Sequence, residues 1–410
     1  MSNLLKINSL YILLIFLSHL FGQVNKTEAS FQKNNRELVS FWSKFNQRGL
    51  DLSKKNFSVV NETKLKNSTI FLTLYHYDRS IKIGESFLEI YFKRNSKIKI
   101  GKFYKDFSFY LNDNLSSGSM LISKNAEPMP KISYLGKYII DKKSISFNYG
   151  ISNAFFKKNN FYNKSPMLHE KYIYLGKNSG NRQFGLGLVH EAIWGGSTLS
   201  GTSFGKQPST LRDFFKIMIA ADGIDEGGPH VNSLGNHLGI WDFYYLVNND
   251  NKILKLYYQH FFEDTSGLRF ANKYDGLWGI ELKNYIKNST ILFEFLSTIN
   301  QNIDPPYVDD SYYNHGVYRS GWSYKEFTLG NPFISFDKIN PSEVLHLALD
   351  SNIIEKINFK IIISKVISSK SDFLSTLLIK REIKNNQYLS FELYPNENYN
   401  AIIISYNFNI

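Results

Sequence analysis

A period of two runs through this chain and limits what it can fold into. From Ser144 to Ser152 the residues Ser144, Ser146, Asn148, Gly150 and Ser152 alternate with Ile145, Phe147, Tyr149 and Ile151 without an exception. Successive side chains on a strand point to opposite faces, so such a segment is a strand with one wet and one dry face. The alternation returns in Leu88, Ile90 and Phe92 against Glu89 and Lys93, and in Ile357, Phe359, Ile361 and Ile363 against Asn358 and Lys360. It returns again in Ile402, Ile404, Tyr406, Phe408 and Ile410. Clusters of Gly, Asn, Asp and Ser, at Asn112–Gly118, Gly195–Gly205, Asp222–Pro229, Asn248–Asn251 and Asn302–Tyr313, punctuate these runs at roughly ten-residue intervals.

No later stretch offers the ~18 consecutive apolar residues of a spanning helix. Even Ile353–Ile367 is cut by Glu355, Lys356, Lys360 and Lys365. Met1–Gly22 carries Lys6, an apolar core from Leu10 to Leu17, and small residues before Gln23, the plan of a secretory signal peptide cleaved after Gly22. An exported chain of alternating strands, 16% aromatic and without cysteine, fits a transmembrane antiparallel β-barrel of the outer membrane better than a soluble sandwich. The zero cysteine count excludes disulfide scaffolds, thiol catalysis and cysteine zinc sites. Lys and Arg number 48 against 36 Asp and Glu. They are dispersed rather than gathered in a tract, so the charge reads as compositional and calls for no nucleic acid.

The expected organisation is a signal over 1–22, a helical segment over 23–65 and the barrel over 66–410. The helix is expected at Glu37–Arg48, where Leu38, Phe41, Trp42 and Phe45 stand at helical spacing before Gly49. On the barrel wall, Glu89, Lys255, Gln259, Glu294 and Lys360 are expected to face the lumen, and Phe147, Ile361, Ile404 and Phe408 the lipid. Gly185 and Gly187 share a face with Glu191, leaving room inside the barrel.

Catalytic and metal motifs are weak. Neither His169-Glu170, nor His190-Glu191, nor His260 with Glu263 and Asp264 makes a convincing metal site, since His190 and Glu191, adjacent on a strand-like run, point to opposite faces, so no metal or other cofactor is expected. There is no Gly-x-Ser-x-Gly elbow, and Gly195, Gly196, Gly201 and Gly205 lack the Gly-Lys-Ser of a phosphate loop. The expectation is a protein that is not an enzyme.

Several motifs carry a family resemblance. Ser116-Ser117-Gly118-Ser119 with Ser123 to Ile132, His169 to Tyr174, His190 to Gly196, Asn236 to Gly239, Tyr257 to His260, Phe262 to Gly267 and Asp275 to Gly279 follow one another in order. Together they resemble the capsule assembly protein Wzi family in its Bacteroidetes-type branch, with Tyr172 standing where many relatives carry Trp. The likeness is clearest over 116–282, with only the strand pattern beyond 290. It implies an outer-membrane barrel of about 18 strands with a plugged lumen and periplasmic helices, which makes 23–65 a periplasmic segment. It also implies a lectin-like, non-catalytic role in assembling or anchoring capsular or exopolysaccharide at the surface of a Gram-negative cell. Outer-membrane lipid would be the other partner, and the protein would be a monomer. Trp194, Trp278, Asp264 and Asp275, at strand ends, are the candidate sugar contacts, since sugars offer ring faces to aromatics and hydroxyls to carboxylates. An open diffusion channel or polysaccharide transporter is the alternative, and a lipid hydrolase a more distant one.

Overall fold

The computed structural model describes residues 24–35, 37, 40–92, 95–199, 205–223, 233–263, 265–301, 311–352, 354–368, 373–395 and 400–409. The signal segment, Asp264 and Ile410 lie outside the described residues.

Eighteen strands form one antiparallel sheet. They are β1 (Val24–Asn34), β2 (Lys55–Lys64), β3 (Ser68–Tyr77), β4 (Ser80–Phe92), β5 (Ser96–Phe103), β6 (Met129–Ile140), β7 (Ile145–Phe155), β8 (Met167–Ser179) and β9 (Arg182–Trp194). They continue as β10 (Asn236–Asn249), β11 (Lys252–Phe262), β12 (Gly276–Lys283), β13 (Ser289–Ser297), β14 (Glu343–Ser351), β15 (Ile357–Val366), β16 (Leu374–Lys384), β17 (Gln387–Pro395) and β18 (Asn400–Asn409). Each pairs with its chain neighbours. The sheet closes because β1 pairs on both sides, Ala29 lying opposite Val59 of β2 and Phe408 of β18. Closure leaves no edge, and in lipid each unpaired backbone group would cost several kcal/mol. Among the described residues no helix is long and apolar enough to cross a membrane.

The expected boundary at residue 66 is too late. β1 and β2 are wall strands, and residues 35–54 connect them instead of leading into the barrel. The helix there is one turn, α1 (Phe41–Lys44), ending where Phe45 turns extended. The amphipathic spacing was produced by Phe41, Trp42 and Phe45 packing one turn into the barrel interior, against Phe333 and Phe327. Nor does this segment sit at the end of the barrel where β1 begins and β18 finishes. That end carries only short turns such as 180–181 and 250–251, whereas 35–54, 104–128, 195–235, 263–275 and 298–342 all leave the opposite end. In bacterial barrels the long-connection end faces outward, so of the segment expected to be periplasmic β1 and β2 lie in the wall and 35–54 at the outer end.

The outer wall is an apolar belt in which Ile132, Ile173, Phe184, Leu186, Ile280, Phe293 and Ile404 are exposed. On β7, Gly150, Ser152 and Ala154 are buried while Tyr149 is exposed, so Phe147 takes the outward phase. Ile361, between inward Lys360 and Ile362, does the same on β15, as do Ile404 and Phe408 on β18.

Candidate functional site

Two of the long connections turn inward and fill the lumen. Residues 104–128 and 298–342 bury Tyr110, Leu115, Met120, Leu121, Tyr313 and Trp322 at the barrel axis. The two segments are joined to each other through backbone acceptors. Tyr313 Oη donates to Met120 O at 2.6 Å, Trp322 Nε1 to Leu121 O at 2.9 Å, Ser123 Oγ to Gly330 O at 2.6 Å and Asn331 Nδ2 to Gly118 O at 2.8 Å. Irregular backbone at membrane depth is tolerated when its polar groups find partners inside protein, as the carbonyls of Met120, Leu121, Gly330 and Gly118 do here.

The wall supplies the remaining partners through its inward side chains. Glu294 of β13 accepts from Ser116 Oγ at 2.6 Å, from the Ser117 backbone N–H at 2.7 Å, and from Tyr257 Oη. Gln259 of β11 accepts from the Met120 N–H at 3.0 Å and donates to Ser108 Oγ at 2.8 Å. Asp242 of β10 accepts from Ser108, Tyr110 and Tyr174. Glu89 pairs with Lys97 at 2.7 Å, Lys99 with Asp106 at 3.0 Å, and Lys255 with Glu281 at 2.8 Å. Lys360 shares the inward phase of buried Ile362 and Ser364 and lies opposite Asp350. At the outer rim Glu127 holds both Lys82 at 2.7 Å and Lys325 at 2.5 Å, tying β4 to both plug segments. Burial alone would raise the Glu127 carboxyl, but its two lysine partners outweigh that and hold it below the usual range.

The inner-wall glycines are not vacant space. A Cβ at Gly187 would lie 2.2 Å from the Tyr174 ring, and one at Gly185 would lie 1.9 Å from the Tyr244 ring. Each glycine is the seat of a tyrosine from the neighbouring strand, and Tyr174 then reaches Asp242. Both oxygens of Glu191, fully buried on the same face, lack a hydrogen-bond partner among the described residues.

The plug stops short of the short-turn end. There Phe109, 54% exposed, and Asp106 face a vestibule of about 780 Å³ walled by Lys97, Lys137, Asn148 and Gln183. The spacing of residues in the sequence gives no sign of this cavity, which exists because 104–128 folds back before reaching that end.

The candidate sugar contacts are not brought together. Trp194, 6% exposed, packs with Phe214 of an outer helix, α2 (Leu211–Met218). Asp275 is fully buried and accepts from Tyr312 Oη at 2.8 Å, the Asn300 N–H at 3.0 Å and Ser297 Oγ at 3.2 Å. Burial pushes its carboxyl up, and those hydrogen bonds draw it part of the way back. Both residues therefore belong to the frame: one seats a helix, the other latches the start of 298–342 to the wall. Trp278 is exposed on the outer wall, stacked on Tyr258 with centroids 3.7 Å apart. Asp264 is outside the described residues. Exposed aromatics that the spacing did not single out stand on three long-end connections, namely Phe161, Tyr274 and Phe373. No periodicity marks a loop residue, so only its exposure could reveal it. His169 and Glu170 take opposite faces, as do His190 and Glu191. No group of metal-ligating side chains forms among the described residues.

The family model described as "Capsule assembly protein Wzi" matches residues 113–335. The match begins within the first plug segment and ends within the second. Among solved structures the chain is similar to a loop-deletion mutant of OmpT, an outer membrane protein of Vibrio cholerae, at 10% identity, covering 94% of this chain and 96% of that one with a TM-score of 0.33. It is also similar to mutants of a porin of Rh. blastica, at 9% identity, covering 94% and 99% with a TM-score of 0.39. No curated protein matches.

Proposed function

The chain belongs to the capsule assembly protein Wzi family, and from that premise we propose that it holds capsular or related exopolysaccharide at the outer end of its barrel, as a lectin-like protein that does not alter the polymer. The observation that carries this reading is the filled lumen. Glu294, Gln259 and Asp242 are fully committed to the plug, so the barrel offers a rigid rim instead of an aqueous path. Recognition on such a scaffold falls to the long connections. The exposed rings of Phe161, Tyr274 and Phe373 are suited to stack on sugar rings, with Asp264, ten residues before Tyr274 in the sequence, as a hydroxyl acceptor.

Purified protein on an immobilised panel of surface polysaccharides should bind at least one, and Tyr274→Ala with Phe161→Ala should weaken that binding without changing heat-modifiable migration. A deletion strain that keeps all its surface polymer would overturn the reading. Shortened polymer after incubation would replace it with a hydrolase, and steady ion conductance of the unaltered protein in planar bilayers with a channel.

A further inference from the structure

A second polar cluster lies on the opposite side of the wall, facing lipid. On β8 and β9 the outward residues form two adjacent rows, Lys171 opposite His190 and His169 opposite Ala192, and β10 places His237 on the far side of Ala192. Lys171 Nζ lies 2.5 Å from His190 Nδ1, His190 Nε2 lies 2.9 Å from His237 Nδ1, and His237 Nε2 lies 2.8 Å from the Leu234 carbonyl. One assignment of protons satisfies the whole chain: Lys171 donates to His190, His190 to His237, and His237 to Leu234 O. Both imidazoles are then neutral, and the Lys171 ammonium is the net charge of the cluster with two N–H groups left over. His169 Nδ1 donates to Asn153 Oδ1 at 3.2 Å, and among the described residues neither its Nε2, in a ring with no exposed surface, nor Trp194 Nε1 in the next row has a partner. Among the described residues no carboxylate pairs with Lys171. The Lys171 ammonium and the Trp194 indole N–H are thus donors without an anionic partner among the described residues, on a surface where water cannot supply one.

Two neighbouring features show what kind of molecule fits. Four residues further along the same strands, Leu175 and Leu186 enter an apolar groove of about 700 Å³ on the outer wall, continued by Phe184, Tyr245, Leu256 and Trp278. Toward the rim, α2 packs Phe214 and Ile217 on the wall. Its other face exposes Leu211, Phe215 and Ile219 at 73, 59 and 77%, with Arg212 and Lys216 alongside. An apolar stripe so exposed, flanked by cations, is the composition of a helix lying in a membrane interface. We propose that this patch is a binding site for a phosphorylated lipid of the outer leaflet, its phosphate accepting from Lys171 under the edge of α2 and an acyl chain lying in the groove. The long-connection end is the outer one, which sets the leaflet.

Native mass spectrometry of the detergent-solubilised full chain with bis-phosphorylated lipid A, and with the same lipid A dephosphorylated, tests this. The wild type should retain the phosphorylated form at least about tenfold better, the size of one lost charge-assisted hydrogen bond. Lys171→Ala should abolish that preference, Lys171→Arg should keep it, and Lys137→Ala on the lumen side should leave it unchanged. Because Lys171→Ala removes a half-buried side chain, the exposed double variant Leu211→Gln with Phe215→Gln is a second arm, expected to lower retention several-fold in a barrel that assembles normally. Equal retention of the two lipids would reduce the site to an acyl groove and overturn the proposal. So would an unchanged preference in Lys171→Ala, or displacement of the lipid by millimolar inorganic phosphate. None of these outcomes bears on polysaccharide binding, so the two readings fail separately.

Discussion

The connections 104–128 and 195–235 leave the same end of the barrel, each carrying five Ser, yet one folds into the lumen and the other out onto the wall. The inward segment is held by hydrogen bonds over long separations, Ser116 to Glu294 and Ser108 to Asp242 among them. The outward one is held by rings, with Phe214 against Trp194 at 5.5 Å and against His169 at 5.1 Å. Inside a barrel an unmet polar group is costly and every partner must be supplied by protein. Against the outer wall apolar contact suffices. The two regions should therefore respond differently to the same kind of damage.

The largest expected effect is on the inward side. Glu294→Ala leaves Ser116, the Ser117 N–H and Tyr257 without their acceptor, which should lower stability by about 3 kcal/mol and produce discrete current openings in planar bilayers. Urea unfolding together with single-channel recording checks both, and a closed, equally stable variant would show that the plug is held by packing alone. Next is Phe214→Ala on the outward side, expected to lower the unfolding free energy by about 2 kcal/mol with no openings. If it did open the barrel, the two regions would be coupled and the contrast lost. Gly187→Ala should follow, displacing Tyr174 from its seat at a cost of about 1–3 kcal/mol. Near-ultraviolet circular dichroism would register the moved ring, and an unchanged spectrum would mean that Tyr174 has another place to go.

The smallest effect is that of pH at the rim. Glu127 is held below its ordinary value of 4.5 in the fold, so its contribution is complete above that value and is lost as pH falls through the lower, folded-state value. Amide exchange in 104–128 should rise below pH 4.5 in the wild type and be already raised at neutral pH in Glu127→Gln. Exchange insensitive to both would mean that Lys82 and Lys325 add nothing to the hold on the plug.

The wall was legible in the sequence because a strand's side chains obey a strict period. Phe147, Ile361, Ile404 and Phe408 lie outward and Glu294 and Gln259 inward, as their alternation requires. The serine motif Ser116-Ser117-Gly118-Ser119 was visible too, although not that its partners would be Glu294 and Gln259 of the wall. That Trp194 and Asp275 are covered was not legible, for one physical reason. A residue at a strand end looks available until the connections around it have a direction, and here α2 covers Trp194 and the start of 298–342 covers Asp275.

The sequence by itself determined the strands and their phase, since these depend on neighbours one or two residues apart. Only the tertiary structure decided which connections became the plug, which became an outer helix, and where the vestibule and the lipid-facing histidines lie. Those outcomes rest on contacts between residues far apart in the chain, such as Tyr313 with Met120 and Asn331 with Gly118, and no local pattern encodes a partner that only closure of the barrel brings within reach.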